Sequence, residues 1–378
     1  MIFKKTFKKI CSLVTAGLIG VTLTFPTLPM PSANAIGIGD AIGLGMQAAT
    51  LIQQRNMIKK QLLAYNYTSE GQQNLYSTFT KKYGVVSDPT LNALLSKVMT
   101  NVTAGVAKID PSIKEKPYKY FISDDATLNA ACGMGHVMMV NRGTFEKVSN
   151  EDELAAIIGH EIGHGQKDHT VNSNMKSIDK QIIAAMGVSA IGVSGGIVVG
   201  SIANLASRVA LVNMNAHAVK KNEWEADNLA FDYLLQTNYN PGACAAIQQR
   251  FVELFAAQEK SRGKNILNPS DHPNSGARRD NYVKKLYEYS GNHVTAKNGV
   301  VTVNKKELLK TVATSDMSAA ERSYFILGNL AIAYHRGYDE SNARVEGGTV
   351  YLGAQPIIAP VEGEGTAQDI ANRLNQIK

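Results

Sequence analysis

The sequence predicts a mostly helical α+β fold with a small sheet beside a long capped helix. Three observations carry that expectation. Leu44, Ala48, Leu51, Ile58 and Leu62 recur at helical spacing within residues 36–80. Residues 150–166 form the strongest helical segment: Asn150 is placed to cap it, and Glu153, three positions on, completes a capping-box-like pair. Strand-like segments in the same region are few and short, at Tyr118–Ile122 and Val137–Asn141.

Taken in order, residues 1–35 read as a secretory leader. Lys4, Lys5, Lys8 and Lys9 precede an uncharged run from Ile10 to Phe25, and Ala33-Asn34-Ala35 supplies a cleavage site. The alternative is a retained N-terminal anchor. The chain has 39 basic and 32 acidic residues, a formal charge of +7. Without the four leader lysines the net charge is +3, too small a footprint to indicate nucleic acid. Cys132 and Cys244 remain after cleavage; an exported chain could pair them, or they are two small buried residues.

A second helix is expected from Tyr83 to Ala107, entered at Asp88-Pro89, with Leu91, Leu94, Leu95 and Val98 on one face. Residues 182–205 form a long uncharged stretch, within an apolar helical insertion taken as 182–213. Its length permits a membrane span, but Gly187, Gly192, Gly195, Gly196 and Gly200 favour a buried helical hairpin. Helices are expected at Lys221–Gln236 and Ala243–Gln258, separated by the turn residues Asn240-Pro241-Gly242. Beyond residue 290 the character changes. A β-hairpin is expected over His293–Val303, turning at Lys297-Asn298-Gly299, then a helix at Ala319–His335 and a strand-like segment at Thr349–Pro360. The sequence thus divides into a leader (1–35), a main domain (36–290, with a helical N-terminal part at 36–82), and an α/β extension or small accessory module (291–378). No internal repeat is legible.

The chemistry centres on Ala155-Ala-Ile-Ile-Gly-His-Glu-Ile-Gly-His164. Histidines four apart on a helix stand one turn above each other, so His160 and His164 can reach one metal ion. Zinc held there lowers the pKa of a bound water toward ~7, and Glu161 is placed to take its proton and pass it to a leaving amine. Two satisfied histidines on an ordinary helix are the bland alternative, although an apolar capped helix must find partners for buried imidazoles. Gly159 and Gly163 predict that another element packs very close, since a mid-helix glycine costs about 1 kcal/mol relative to alanine.

The third ligand separates the zinc classes. A further histidine at the H-E-x-x-H-x-x-G-x-x-H spacing is missing: Lys167 and Thr170 occupy those places, and His169 is one residue short. Downstream, Glu223 and Asp227 share a helix face. One carboxylate can complete a two-histidine, one-glutamate site, and the other can fix the tautomer of a ligating histidine. Glu225 points away from Glu223 on a helix and is expected to face solvent. A solvated acidic face is the alternative for the cluster.

With these residues in place, the sequence resembles the HtpX/BepA-like zinc metallopeptidases, the family that includes the CAAX prenyl endoprotease. The resemblance runs from about Tyr83 to Leu286. It rests on Leu128-Asn129-Ala130, Gly135-His136-Val137-Met138-Met139-Val140, Asn141-Arg142-Gly143, Glu153-Leu154-Ala155, the Gly-His-Glu-Ile-Gly-His box, Glu223-x-x-Ala226-Asp227, Asn240-Pro241 and His272-Pro273. It implies a zincin-like, mostly helical fold and one zinc per chain held by His160, His164 and Glu223. Glu161 would be the base, and Asp227 would lie behind the ligands. It further implies an edge strand at His136, Val137, Met138, Met139 and Val140 that takes substrate backbone by strand addition. His272 would be able to approach the metal and hold a resting state, with Arg278 as the basic residue that follows. Relatives often carry a helical repeat module after the protease, and none is legible here. The expected activity is hydrolysis of protein or peptide substrates in the cell envelope or outside the cell. The rivals are a chaperone-like or scaffolding protein with a zinc site, and a membrane-integrated protease spanning the bilayer with residues 182–205.

Overall fold

The computed structural model describes residues 38–189, 220–262 and 274–378. The leader, His272 and most of the apolar insertion lie outside them. The N-terminal helical region is two helices, α1 (Ile38–Tyr67) and α2 (Ser69–Tyr83). They part at Thr68, whose hydroxyl accepts from the Gly71 amide at 3.0 Å and so caps the second helix. Helix α3 (Pro89–Ile109) begins where its cap dictates: the Asp88 carboxylate accepts from the amides of Thr90 and Leu91, and Pro89 occupies the first turn.

Strands β1 (Lys119–Ser123), β2 (Ala130–Cys132) and β3 (Val137–Asn141) form a three-stranded sheet in the order β1-β3-β2. β1 runs parallel to β3, and β2 antiparallel. β3 is therefore the central strand, and the expectation of a substrate-binding edge at His136–Val140 is corrected. Both of its hydrogen-bonding edges are occupied, and both of its faces are covered. Met138 and Val140 join the main core with α3, whereas Val137 and Met139 pack in a second cluster with Leu51, Leu75 and Phe79 of α1 and α2. A strand buried on both faces reads as a continuous apolar run, which is how Val137-Met-Met-Val140 reads.

After a short helix α4 (Arg142–Lys147) comes α5 (Glu151–Gln166), with α6 (His169–Ser189) after a tight turn. Asn150 caps α5 by accepting from the Glu153 amide at 3.0 Å. The Glu153 carboxylate accepts from the Ser149 amide, one residue before the place a capping box uses. Helices α7 (Lys220–Leu234), α8 (Ala243–Arg262) and α9 (Ser275–Tyr289) follow. No helix among the described residues is long and apolar enough to cross a membrane. Cys132 and Cys244 are both buried and not disulfide-bonded.

The C-terminal residues contain a repeat that the sequence hides. β4 (Val294–Lys297), β5 (Val300–Val303), β6 (Lys306–Lys310) and α10 (Ala319–His335) make one β-β-β-α unit. β7 (Arg344–Glu346), β8 (Thr349–Leu352), β9 (Gln355–Ile358) and α11 (Ala367–Ile377) make a second. The two antiparallel meanders match in register and even in irregularity, with a bulge at Val301/Thr302 in one and at Val350/Tyr351 in the other. Both first hairpins turn on two positive-φ residues, Asn298-Gly299 and Gly347-Gly348. Both helices open with a capping box, Ser318/Glu321 and Thr366/Asp369. In sequence the two units share chiefly the buried pattern: Val301, Val303, Leu308 and Leu309 correspond to Val350, Leu352, Ile357 and Ile358. The exposed positions differ, so the duplication is visible in pairing and not in identity.

Candidate active site

Helices α5 and α7 bring the site together. Gly159 and Gly163 lie against Ala230 and Ala226: a Cβ built on Gly163 would stand 3.1 Å from the Ala226 Cα and carbonyl oxygen. The expected close approach is thus present, and it sets Glu223, one turn from Ala226, opposite the histidines. Valine at Gly163 would have to separate the helices. Gly163→Val is expected to lower stability by about 1–3 kcal/mol through overpacking and to reduce metal content. A variant that matches the native chain in both melting temperature and metal content would show that the close approach is dispensable.

His160, His164 and Glu223 are all buried, and one ligand atom from each lies within 4.8 Å of the others. His164 Nε2 stands 3.1 Å from His160 Nε2 and 3.3 Å from Glu223 Oε1, and His160 Nε2 lies 3.5 Å from Glu223 Oε2. These three could hold a metal ion. They fit one chemically, since two imidazole nitrogens and a carboxylate oxygen converge on one point inside the protein. Glu161 is 2 % exposed, and its Oε2 accepts from the backbone amide of Cys132 on β2 at 2.8 Å.

The far side of each histidine is also held. His160 Nδ1 lies 3.0 Å from Asp227 Oδ1. Asp227 accepts in turn from Tyr282 at 2.9 Å and from the Nε and Nη2 of Arg278. Burial opposes the charged form of Asp227, but the Arg278 charge and hydrogen bonds outweigh it and hold the carboxyl far below the usual range. Burial and Arg278 both disfavour a charged His160; hydrogen bonds to Asp227 and Glu223 prevail and raise it to about 9. A pocket that stabilises a proton between carboxylates is also suited to a cation. Burial, reinforced by Glu161, pushes the Cys132 thiol well up, so it stays a neutral hydrophobe beside the site.

Among the expected site residues, His160, Glu161, His164, Glu223, Asp227 and Arg278 come together, and His136 is placed elsewhere. His136 is buried in a positive-φ backbone (φ 55), edge-on to the Tyr118 ring, with its Nε2 3.5 Å from Asp168 Oδ1, and it lines a small cleft with His164, Gly165 and Thr170. Arg278 is only 3 % exposed; its Nε and Nη2 donate to Asp227, Nη2 also lies 3.2 Å from His160 Nδ1, and Nη1 is 3.8 Å from Glu223. Three participants were not foreseen: the Cys132 amide, Tyr282, and His169, whose Nδ1 lies 2.9 Å from His164 Nδ1. Tyr282 follows Arg278 by one helical turn, a spacing that could have suggested it. Glu225, expected to face solvent, is half-exposed and reaches His169 Nε2 at 3.3 Å.

A sequence model of peptidase family M48 matches residues 89–288, which contain the whole constellation. The chain belongs to peptidase family M48. Membership makes it a metallopeptidase, and the resemblance read from the motifs is borne out. Among characterised relatives, metalloprotease LoiP of Escherichia coli K12 is 23% identical over 192 residues, covering 51% of this chain and 72% of that protein. The putative beta-barrel assembly-enhancing protease of Vibrio cholerae is 22% identical over 178 residues, and its Escherichia coli K12 counterpart 22% over 190. The matched region covers only 36% and 37% of those two proteins, so most of their length has no counterpart in the alignment.

Proposed function

We propose that this M48 peptidase is a zinc-dependent endopeptidase of the two-histidine, one-glutamate type, acting on proteins of the cell envelope or outside the cell. The observation that carries the reading is the convergence of buried His160, His164 and Glu223 within 4.8 Å, with Glu161, the buried carboxylate of the H-E-x-x-H box, on the same helix as the two histidines. Zinc bound by those three would supply Lewis acidity toward the scissile carbonyl and acidify the attacking water. Glu161 would take a proton from the attacking water and deliver it to the leaving amine. Asp227 keeps the His160 ring in one tautomer, and Arg278 with Tyr282 keeps Asp227 in place. β3 is central, and in this reading substrate backbone is taken by the outer strand β2, whose Cys132 amide meets Glu161 beside the proposed metal site.

Export through a cleaved leader at residues 1–35 gives the site access to such substrates. Two of its relatives are named for enhancing beta-barrel assembly, and a role in protein quality control at the envelope is in keeping with that. The peptidase domain spans residues 36–290 in this reading, with 291–378 as its extension.

The mature chain, purified without added metal, is expected to carry about one zinc and to cleave an unfolded protein such as casein. A chelator should stop cleavage and zinc should restore it. A chain that cleaves casein equally well after exhaustive chelation would overturn the reading.

A further inference from the structure

The two candidate metal-binding histidines are anchored differently, and only one anchor is explained by the Asp227 pair. His160 Nδ1 meets a carboxylate directly. His164 Nδ1 meets another imidazole, His169 Nδ1, at 2.9 Å, and His169 Nε2 meets Glu225 Oε2 at 3.3 Å. Neither ring has room to turn away, since His164 is 1 % and His169 5 % exposed. The rings stand edge to face, with centroids 5.0 Å apart.

We infer that His169 is a positioning residue for the metal ligand His164, with its own tautomer set by Glu225. The inference rests on the proposed metal site. A histidine that ligates through Nε2 carries its proton on Nδ1, so His164 donates to His169 Nδ1. His169 must then carry its proton on Nε2, where the Glu225 carboxylate accepts it. The chain Glu225–His169–His164 therefore has one consistent direction, and it does for His164 what Asp227 does for His160.

The backbone supplies the reason His169 is in place. Helix α5 ends at Gln166 and α6 begins at His169, so only two residues turn the chain. Asp168 makes that turn in the left-handed region, at φ 53. Its carboxylate is gripped by Asn66 Nδ2 at 2.8 Å, Tyr67 hydroxyl at 3.0 Å and Lys116 Nζ at 3.2 Å. The turn folds the first residue of α6 back beneath the last turn of α5. The missing one-residue offset that rules out a third histidine ligand at this point is what lets His169 stand behind His164 instead of beside it.

The test is the zinc affinity of the full mature chain, measured by competition with a chromophoric chelator. The visible spectrum of the cobalt-loaded protein and the melting temperature of the metal-free protein are recorded alongside. His169→Ala is expected to weaken zinc about 10–100-fold and to alter the cobalt bands. His169→Asn keeps an acceptor near the Nδ1 position and is expected to recover most of that loss. Glu225→Ala, at a side chain 42 % exposed and so tolerant of change, should lose affinity in the same direction by less. His169→Ala binding zinc within about twofold of the native chain, with unchanged cobalt bands, overturns the inference. So does a loss that His169→Asn fails to recover and that tracks a lower metal-free melting temperature, because that is a folding defect. The native chain and His164→Ala separate the two readings: a native chain with no zinc affinity, or one whose affinity survives His164→Ala, sinks the metal site itself.

Discussion

Replacing Glu161 with glutamine is expected to reduce peptide hydrolysis by about 10²–10⁴-fold, the usual worth of a positioned general base, while zinc content stays at the native level. Glutamine has nearly the same shape and keeps a side-chain oxygen that can accept from the Cys132 amide, the 2.8 Å hydrogen bond that orients the native carboxylate. What it lacks is the capacity to take a proton. The residues that converge on the metal position are His160, His164 and Glu223, and none of them is altered. The effect should therefore fall on kcat, with KM for an unfolded protein and the melting temperature close to native. If Glu161→Gln cleaves casein at the native rate, Glu161 is not the base. If it loses zinc along with activity, Glu161 belongs to the metal-holding set and the division of roles is wrong.

The legible part of this site is the part encoded locally. Two histidines and a glutamate within one capped helix announce themselves, as do Glu223 and Asp227 one turn apart on another. Both pairs depend only on the 3.6-residue period, and both came together as expected. The misses depend on long-range geometry. Val137–Asn141 was recognisable as a strand, but its central place follows from pairing with Lys119–Ser123 on one side and Ala130–Cys132 on the other. A strand as short as Ala130–Cys132 leaves too little alternation to detect. His169 carries a signal in its odd position just after the box, but spacing alone only excludes it as a ligand; its place behind His164 follows from the left-handed Asp168 turn. The C-terminal duplication escaped because two β-β-β-α units need share only inward-facing apolar positions, which any pair of amphipathic hairpins would share.

Ending the chain after Ser290, at the boundary the sequence suggests, is expected to leave a peptidase that does not fold cooperatively. Helix α10 lies against α8 and α9, and its Leu327, Leu330 and Ala331 are wholly buried in the core that includes Leu154, Ile158 and Ile162 of the active-site helix. Burial of each large aliphatic side chain is worth about 1.5–3 kcal/mol. Removing Leu327, Leu330 and Ile326 together therefore reaches the roughly 5–15 kcal/mol that holds a whole domain together. Polar contacts cross the same boundary. Asn240 Nδ2 donates to the Phe325 carbonyl at 2.9 Å, and Gly242 sits so close to Tyr324 that a Cβ would clash with its carbonyl oxygen. Arg250 stands between Glu153 at the start of α5 and Glu321 in the α10 capping box, at 3.2 and 3.0 Å. Truncation would strip away one of the two carboxylates that balance it. The measurement is thermal unfolding and zinc affinity of residues 36–290 against the full mature chain. Leu327→Ala in the full chain serves as a milder probe, expected to cost about 2–5 kcal/mol. A fragment that melts sharply and binds zinc as the full chain does would make residues 291–378 an appendage. Loss of the transition, together with a lowered melting temperature for Leu327→Ala, would place the first β-β-β-α unit among the supports of the H-E-x-x-H helix.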